Sequence, residues 1–196
     1  MKNVPLLIGP ILFLFAQVIL PGGSADPTIR IAIIQNNTLA WELGHQLIAI
    51  AFVFLLLWLG EVYGFVRNGN QLLAFLGVLL STFALTADYS VGILQLLTLD
   101  LVQTESASQA LAVLTLIGQS SNLLAFAFLP TLGFFFGFGL LAIGYYRTTR
   151  QSLPAILLGL SGLLIAIAGI LQLKLVFILG AIALLFFTVL FVRTKQ

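Results

Sequence analysis

Apolar stretches long enough to cross a lipid bilayer follow one another along most of this chain. The hydrocarbon core of a bilayer is about 30 Å thick and a helix rises about 1.5 Å per residue, so a crossing needs roughly 17–25 mainly apolar residues. Charged residues make up only 7% of the chain, against about 25% in soluble domains, and they cannot cover a water-exposed surface. The sequence therefore predicts an all-α integral membrane bundle of six transmembrane helices in a single domain. The predicted spans are residues 4–20, 41–66, 71–97, 121–146, 153–171 and 175–192.

The fourth crossing is the least regular, because residues 106–146 are too long for one span and contain no charged loop that would separate two. The polar run 119–122 is the clearest boundary within this stretch. We therefore predict a short interfacial or re-entrant helix at 106–118, followed by a crossing at 121–146 that is kinked at Pro130. The outer loops are then 21–40, 98–105 and 172–174.

Lysine and arginine gather on one side of the membrane in this topology. Six of the eight lie on that side: Lys2, Arg67, Arg147, Arg150, Arg193 and Lys195. Arg30 and Lys174 are left on the other side. Cytoplasmic loops carry an excess of such residues, so both termini are predicted to be cytoplasmic. The net charge of +2 comes from these flanking residues and indicates orientation in a plasma membrane rather than nucleic-acid binding.

The N-terminus has a second interpretation, as a secretory signal peptide. Lys2 precedes an apolar run from Val4 to Leu20, and the small residues 23–25 follow it, as they do at a cleavage site. The first helix is either retained or removed, and in both cases the following segment begins outside.

Asp88 is the deepest charged residue in the predicted spans. It lies nine residues before Leu97, about 14 Å below the outer end of the third span. Pro10, Pro130 and the pair 161–162 fall at a similar depth, which predicts a polar pocket open to the outside. Charges within spans cost roughly 2.5–3.5 kcal/mol on insertion scales, so Asp88 is a candidate proton- or cation-binding carboxylate. The alternative is a protonated side chain that hydrogen bonds to a neighbouring helix and stabilises packing.

A second polar group is predicted at the outer mouth of the same pocket. Glu42, His45 and Gln46 share one face of the second span, and Asn122 is expected nearby. The spacing Glu42-x-x-His45 is one by which helices present metal ligands, but the chain has one histidine, so no metal site is predicted. The group is either a hydrogen-bond cluster or an entrance for a ligand or proton that leads to Asp88.

Two features are predicted for helix packing. Glu61 is expected to form a salt bridge with Arg147 or Arg150 at the inner surface. The spacings Gly60-x-x-x-Gly64 and Gly133-x-x-x-Gly137 would each allow a neighbouring helix to approach closely.

Aromatic residues are expected either at the membrane interface or around the proline kink. The predicted interfacial anchors are Trp41, Trp58, Tyr63, Tyr145 and Tyr146. The phenylalanines around the kink are Phe126, Phe128, Phe134, Phe135, Phe136 and Phe138. No cofactor is predicted, although a lipid, a quinone or a pigment is the kind of ligand that a pocket among these rings would accommodate.

Recognisable catalytic motifs are absent from the sequence. There is no cysteine, P-loop, Gly-x-Ser-x-Gly or His-Glu-x-x-His. The sequence favours a non-enzymatic membrane protein, either an accessory subunit of a membrane complex or a binder of a small hydrophobic or cationic ligand. One alternative is a small proton-coupled transporter that uses Asp88, and another is a lipid-modifying enzyme with Glu42 and His45 as its acid–base pair. The expected partners are membrane lipids and other membrane-protein subunits, with no nucleic acid.

One part of the chain has a familiar order of features. Residues 133–147 form a run of phenylalanine and glycine that ends in Tyr-Tyr-Arg, and Ser152-Leu-Pro154 and the apolar Gly159-Leu-Ser-Gly162 follow. Together with Leu-Ile-Gly-Pro-Ile-Leu-Phe-Leu at 7–14, this order resembles the bacterial six-span proteins grouped as domain of unknown function 4386. The resemblance implies a bacterial inner-membrane protein of six helices and brings no catalytic residues with it.

Overall fold

Every regular element in the described part of the chain is a helix. The computed structural model describes residues 5–24, 26–104, 107–119 and 121–195, with the side chains of 107, 117–119 and 121–127 left out. The helices are α1 (Pro5–Ile19), α2 (Pro27–Asn36), α3 (Thr38–Val66), α4 (Gln71–Thr104), α5 (Ala107–Gln119), α6 (Ser121–Thr149), α7 (Ser152–Leu171) and α8 (Lys174–Thr194). The predicted all-α class is confirmed. The helix predicted at 106–118 corresponds to α5, and α6 continues through Pro130 without interruption.

The six longer apolar helices form a ring. In the order α1, α3, α4, α6, α7 and α8, each packs against the next, and α8 returns to α1. Among the described residues, five of them (α3, α4, α6, α7 and α8) are long and apolar enough to cross a membrane. The remaining one, α1, is apolar but has 15 residues, a length of about 22 Å. The chain is thus an apolar multi-helix protein of the kind that membranes contain.

Contacts between helix ends define two ends of the ring. At the first, which we call the basic end, Tyr145 Oη donates to Thr194 Oγ1 at 3.2 Å, so α6 and α8 both finish there. At the other, the cap end, Lys174 Nζ donates to Val18 O at 2.9 Å. α1 therefore begins, and α8 ends, at the basic end. Of the described cations, five lie at the basic end: Arg67, Arg147, Arg150, Arg193 and Lys195. The predicted grouping of positive charge is present in the fold.

The cap end carries a small helical layer of two helices, of which the sequence predicted α5 but not α2. α2 and α5 pack on each other and on the last turns of α4. One apolar cluster there contains Ile31 and Leu114, and a second contains Ile34, Trp41 and Leu99. The prediction of loops at 21–40 and 98–105 is therefore wrong for most of those residues, because their apolar side chains bury one another.

The start of α2 is fixed by a local signal. Asp26 Oδ1 accepts hydrogen bonds from the backbone N–H groups of Thr28 at 2.8 Å and Ile29 at 3.2 Å, and Pro27 occupies the first helical position. An aspartate cap followed by proline is a favourable way to begin a helix.

Helices α4 and α6 approach each other closely, where small residues face each other. A Cβ atom built on Gly133 would lie 2.7 Å from both Leu80 O and Ala84 Cβ. A Cβ atom on Gly137 would lie 2.7 Å from the backbone nitrogen of Ser81. No side chain fits at either glycine without displacing the backbone of α4, so the predicted close approach at Gly133-x-x-x-Gly137 is present.

The other glycine pair has a different environment. A Cβ atom on Gly60 or Gly64 would meet no atom within 4 Å in the described part of the chain. The predicted close packing at Gly60-x-x-x-Gly64 is therefore not found there. The spacing is the same as in the first pair, but this pair faces no neighbouring helix.

Aromatic side chains fill the half of the ring that is nearer the basic end. The ring centre of Trp58 lies 5.8 Å from that of Phe138 and 5.9 Å from that of Phe187. Tyr145 and Phe191 contact Phe187 at 5.4 Å and 5.7 Å. Because Trp58 and Tyr145 are fully buried, their predicted role as interfacial anchors is wrong.

Candidate functional site

Asp88 lies on α4 where that helix faces α1 and α3. Its half-buried side chain borders a small cavity with Phe13 from α1, Phe52 and Leu55 from α3, and its own neighbour Tyr89. The cavity has a volume of about 10 Å³, which is about the room that one water molecule needs. The acid thus borders a cavity between α1, α3 and α4, in narrow and mostly apolar surroundings.

The Asp88 carboxyl has no hydrogen bond or ion pair within the described residues. An ionised carboxylate in apolar surroundings is costly unless a partner neutralises it. In the alternative interpretation, Asp88 stabilises packing through a hydrogen bond to a neighbouring helix. The described part of the chain contains no such hydrogen bond.

The other features predicted at the depth of Asp88 do not line its cavity. Ser161 is fully buried and its Oγ donates to Leu158 O at 2.8 Å. Gly162 packs against Phe134 and Phe138, so no notch is left beside it. The cavity at Asp88 therefore does not extend to the small residues of α7, where Phe134 and Phe138 of α6 occupy the space.

The polar residues near the start of α3 make separate contacts. Gln46 Nε2 donates to Glu42 Oε1 at 3.0 Å on the outer side of the helix. The buried His45 places Nδ1 at 2.7 Å from Trp41 O, and because a carbonyl only accepts, Nδ1 carries the proton. Neither Glu42, His45 nor Gln46 lines the cavity at Asp88. The side chain of Asn122, the fourth predicted member, lies outside the described set.

The separate contacts of these side chains limit what they can do in metal binding and in catalysis. Among the described residues, no group of three His, Asp or Glu side chains could hold a metal ion. An acid–base pair must reach one reacting centre, whereas Glu42 and His45 contact different partners. Glu42 and His45 are therefore not arranged as the acid–base pair that the lipid-modifying enzyme would need.

Glu61 does form a salt bridge, but with Lys195. The predicted partners Arg147 and Arg150 are not paired with it among the described residues. The contact joins the end of α3 to the end of α8. Both side chains are partly exposed to solvent, and such pairs contribute at most about 1 kcal/mol.

A groove at the basic end was not anticipated from the sequence. It lies between the turn that joins α6 to α7 and the last turns of α8, and it has a volume of about 570 Å³. Arg150 and Arg193 line it together with Leu153, Pro154 and Leu190. Arg150 follows α6 with a φ of 61°, the left-handed conformation in which many helices end. The sequence signal for this groove was the position of Arg150 in a turn that ends a helix and is followed by Pro154.

Hydrogen bonds hold the two walls of this groove together. Gln151 Oε1 accepts from Thr194 Oγ1 at 3.3 Å, and Tyr145 Oη, which donates to Thr194, lies 3.4 Å from the same Gln151 oxygen. The backbone N–H of Gln151 donates to Thr149 Oγ1 at 3.1 Å. The turn after α6 is thereby tied to the end of α8, so the groove is bounded by fixed elements.

Comparison with known proteins gives no relative. No protein family, no curated protein and no solved structure matches this chain. The resemblance to the six-span bacterial proteins remains a prediction.

Proposed function

We propose that this chain is a non-enzymatic multi-pass membrane protein that binds and releases a proton at Asp88, as a small proton-coupled carrier does. One observation carries the proposal: a carboxyl without a partner in the described chain borders an internal cavity with room for about one water molecule. A proton neutralises such a group with no further ligand.

The cavity favours a proton over larger ligands. Metal cations require several oxygen ligands, and apart from Asp88 and Tyr89 the lining side chains are apolar. A lipid, a quinone or a pigment needs a pocket of roughly 300 Å³ or more, far above the volume at Asp88. The role of an accessory subunit is compatible with the same chemistry, and proteins that co-purify from native membranes would reveal it.

The proposal includes a topology of six crossings with the basic end in the cytoplasm of a bacterial inner membrane. α1 supplies the sixth crossing, because it occupies a full position in the ring between α3 and α8. The cluster of cations at the basic end supports this orientation.

The topology is tested by labelling variants that each contain one introduced cysteine. That cysteine is the only thiol of the variant, because the sequence contains none. We expect a membrane-impermeant maleimide to label Asn36→Cys only from outside the cell and Asn68→Cys only in inverted vesicles. Both residues are exposed, and the unmodified chain is the control for background labelling. Labelling of both positions from the same side would contradict the proposed crossings.

The proton site is tested by infrared difference spectroscopy of the protein in lipid nanodiscs. We expect a carboxylic acid C=O band that disappears as the pH is raised and that is missing at every pH in Asp88→Asn. Glu42→Gln is the matched control, because Glu42 lies on the outer side of α3 and should leave the band unchanged. A band that persists in Asp88→Asn, or one that is lost in Glu42→Gln, would refute the assignment.

A further inference from the structure

The groove at the basic end brings positive charge and apolar surface together. Arg150 approaches it from the turn after α6, and Arg193 from the last turn of α8, while Leu153, Pro154 and Leu190 supply apolar walls. A ligand that satisfies both kinds of surface carries a negative head and a hydrocarbon part. The volume of about 570 Å³ lies within the range of roughly 300–1,000 Å³ that small-molecule sites occupy.

The two arginines are available to an external anion. Neither Arg150 nor Arg193 has an ion pair among the residues that the structure describes, where Glu61 pairs with Lys195 instead. Among the residues that the structure describes, no acidic one lines the groove to oppose an anion. A guanidinium presents several N–H donors in a plane that matches the oxygens of a phosphate.

The position of the groove indicates which kind of molecule would carry the phosphate. The groove lies at the end of the ring where cations gather, and Leu153, at 59% exposure, continues from it onto the outer surface of α7. Basic pockets between transmembrane helices are known to bind anionic lipid head groups. We propose that this groove binds the phosphate head group of an anionic phospholipid, with its acyl chains along the apolar side chains of α7 and α8.

The experiment measures lipid binding to the purified full chain by native mass spectrometry in detergent, with phosphatidylglycerol, phosphatidylcholine and inorganic phosphate as probes. We expect the unmodified chain to prefer phosphatidylglycerol and to retain it when inorganic phosphate is added. In the double variant Arg150→Gln with Arg193→Gln, we expect affinity for phosphatidylglycerol to fall about 10- to 30-fold, since each basic residue near an anionic lipid contributes about a factor of 5.

The matched control removes the same charge from the same end but away from the groove. Arg67→Gln with Arg147→Gln should change affinity for phosphatidylglycerol by less than about twofold, because neither residue lines the groove. Equal losses in the two double variants would overturn the proposal in favour of a general positive potential. Displacement of the lipid by inorganic phosphate would overturn it in favour of a free-anion site.

A folding defect is separated from a binding defect by a third variant. Arg150→Lys with Arg193→Lys keeps the charge and should restore most of the affinity that the glutamine variant loses. If the glutamine variant does not fold, the lysine variant supports the proposal by retaining a preference for phosphatidylglycerol over phosphatidylcholine. It overturns the proposal if that preference is absent. None of these readouts depends on Asp88, so the lipid site and the proton site succeed or fail separately.

Discussion

Gly137→Ala is expected to lower the free energy of unfolding by about 1–3 kcal/mol, the usual cost of overpacking a close contact. The added methyl group would lie 2.7 Å from the backbone nitrogen of Ser81 and 3.0 Å from Gly77 O. Both atoms belong to the backbone of α4, so α4 and α6 must separate to accommodate it. Unfolding in detergent, followed by tryptophan fluorescence, measures the change, because Trp41 and Trp58 are both buried.

Gly139→Ala is the matched control on the same helix. A Cβ atom there meets no described atom within 4 Å, and alanine is favoured over glycine in a helix by about 1 kcal/mol. The control should therefore be neutral or slightly stabilising. Equal effects of the two substitutions would show that the contact between α4 and α6 is looser than described.

Phe187→Ala should produce the largest loss of stability that we expect from a single truncation, about 2–4 kcal/mol. Phe187 is fully buried and contacts the rings of Trp58, Tyr145 and Phe191, so its removal leaves a cavity in the core. The estimate is at the low end for buried phenylalanine, since lipid is as apolar as the interior and most of the cost is lost packing. The same unfolding measurement applies.

Phe186→Ala provides the comparison one residue earlier. Phe186 is 58% exposed on the outer surface of α8, where lipid or detergent replaces the lost contacts. We expect a change below about 1 kcal/mol. A loss as large as that of Phe187→Ala would place the aromatic core elsewhere in the bundle.

Much of the helical architecture follows from the sequence because it depends on length and polarity. A helix such as α7 needs about 20 apolar residues between polar turns, and a linear scan detects that directly. The boundary before Ser121 was also visible, because four polar residues in succession interrupt an apolar stretch. The six-crossing count stays a prediction, since α1 is shorter than the other helices in the ring.

The cap end shows where a linear scan fails. Residues 98–105 were predicted to form a loop, but the exposed carboxyl of Asp100 lies on the outer face of a helix whose other side buries Leu99 against Ile34 and Trp41. An isolated charge marks a loop only if the neighbouring apolar residues have nothing to pack against. Asp26 and Pro27, which begin α2, form a capping signal that the sequence contains.

The candidate site was predicted in part. Asp88 stands out in any sequence of this composition, because an acid within an apolar span is rare. The partner of Glu61 depended on which helix ends are neighbours, and Lys195 near the end of α8 lies there instead of the two arginines at the end of α6. Trp58 was assigned to the interface because tryptophan favours that region. Instead its Nε1 donates to Thr188 Oγ1 at 3.0 Å, which allows the indole to be buried.

The 34 residues of α4 make a rod about 51 Å long, some 20 Å more than the acyl region of a bilayer is thick. Asp88 lies on the same continuous helix as Leu99, against which helices of the cap end pack. A displacement of those helices would therefore be transmitted to Asp88 along a single helix that has no break between the two positions.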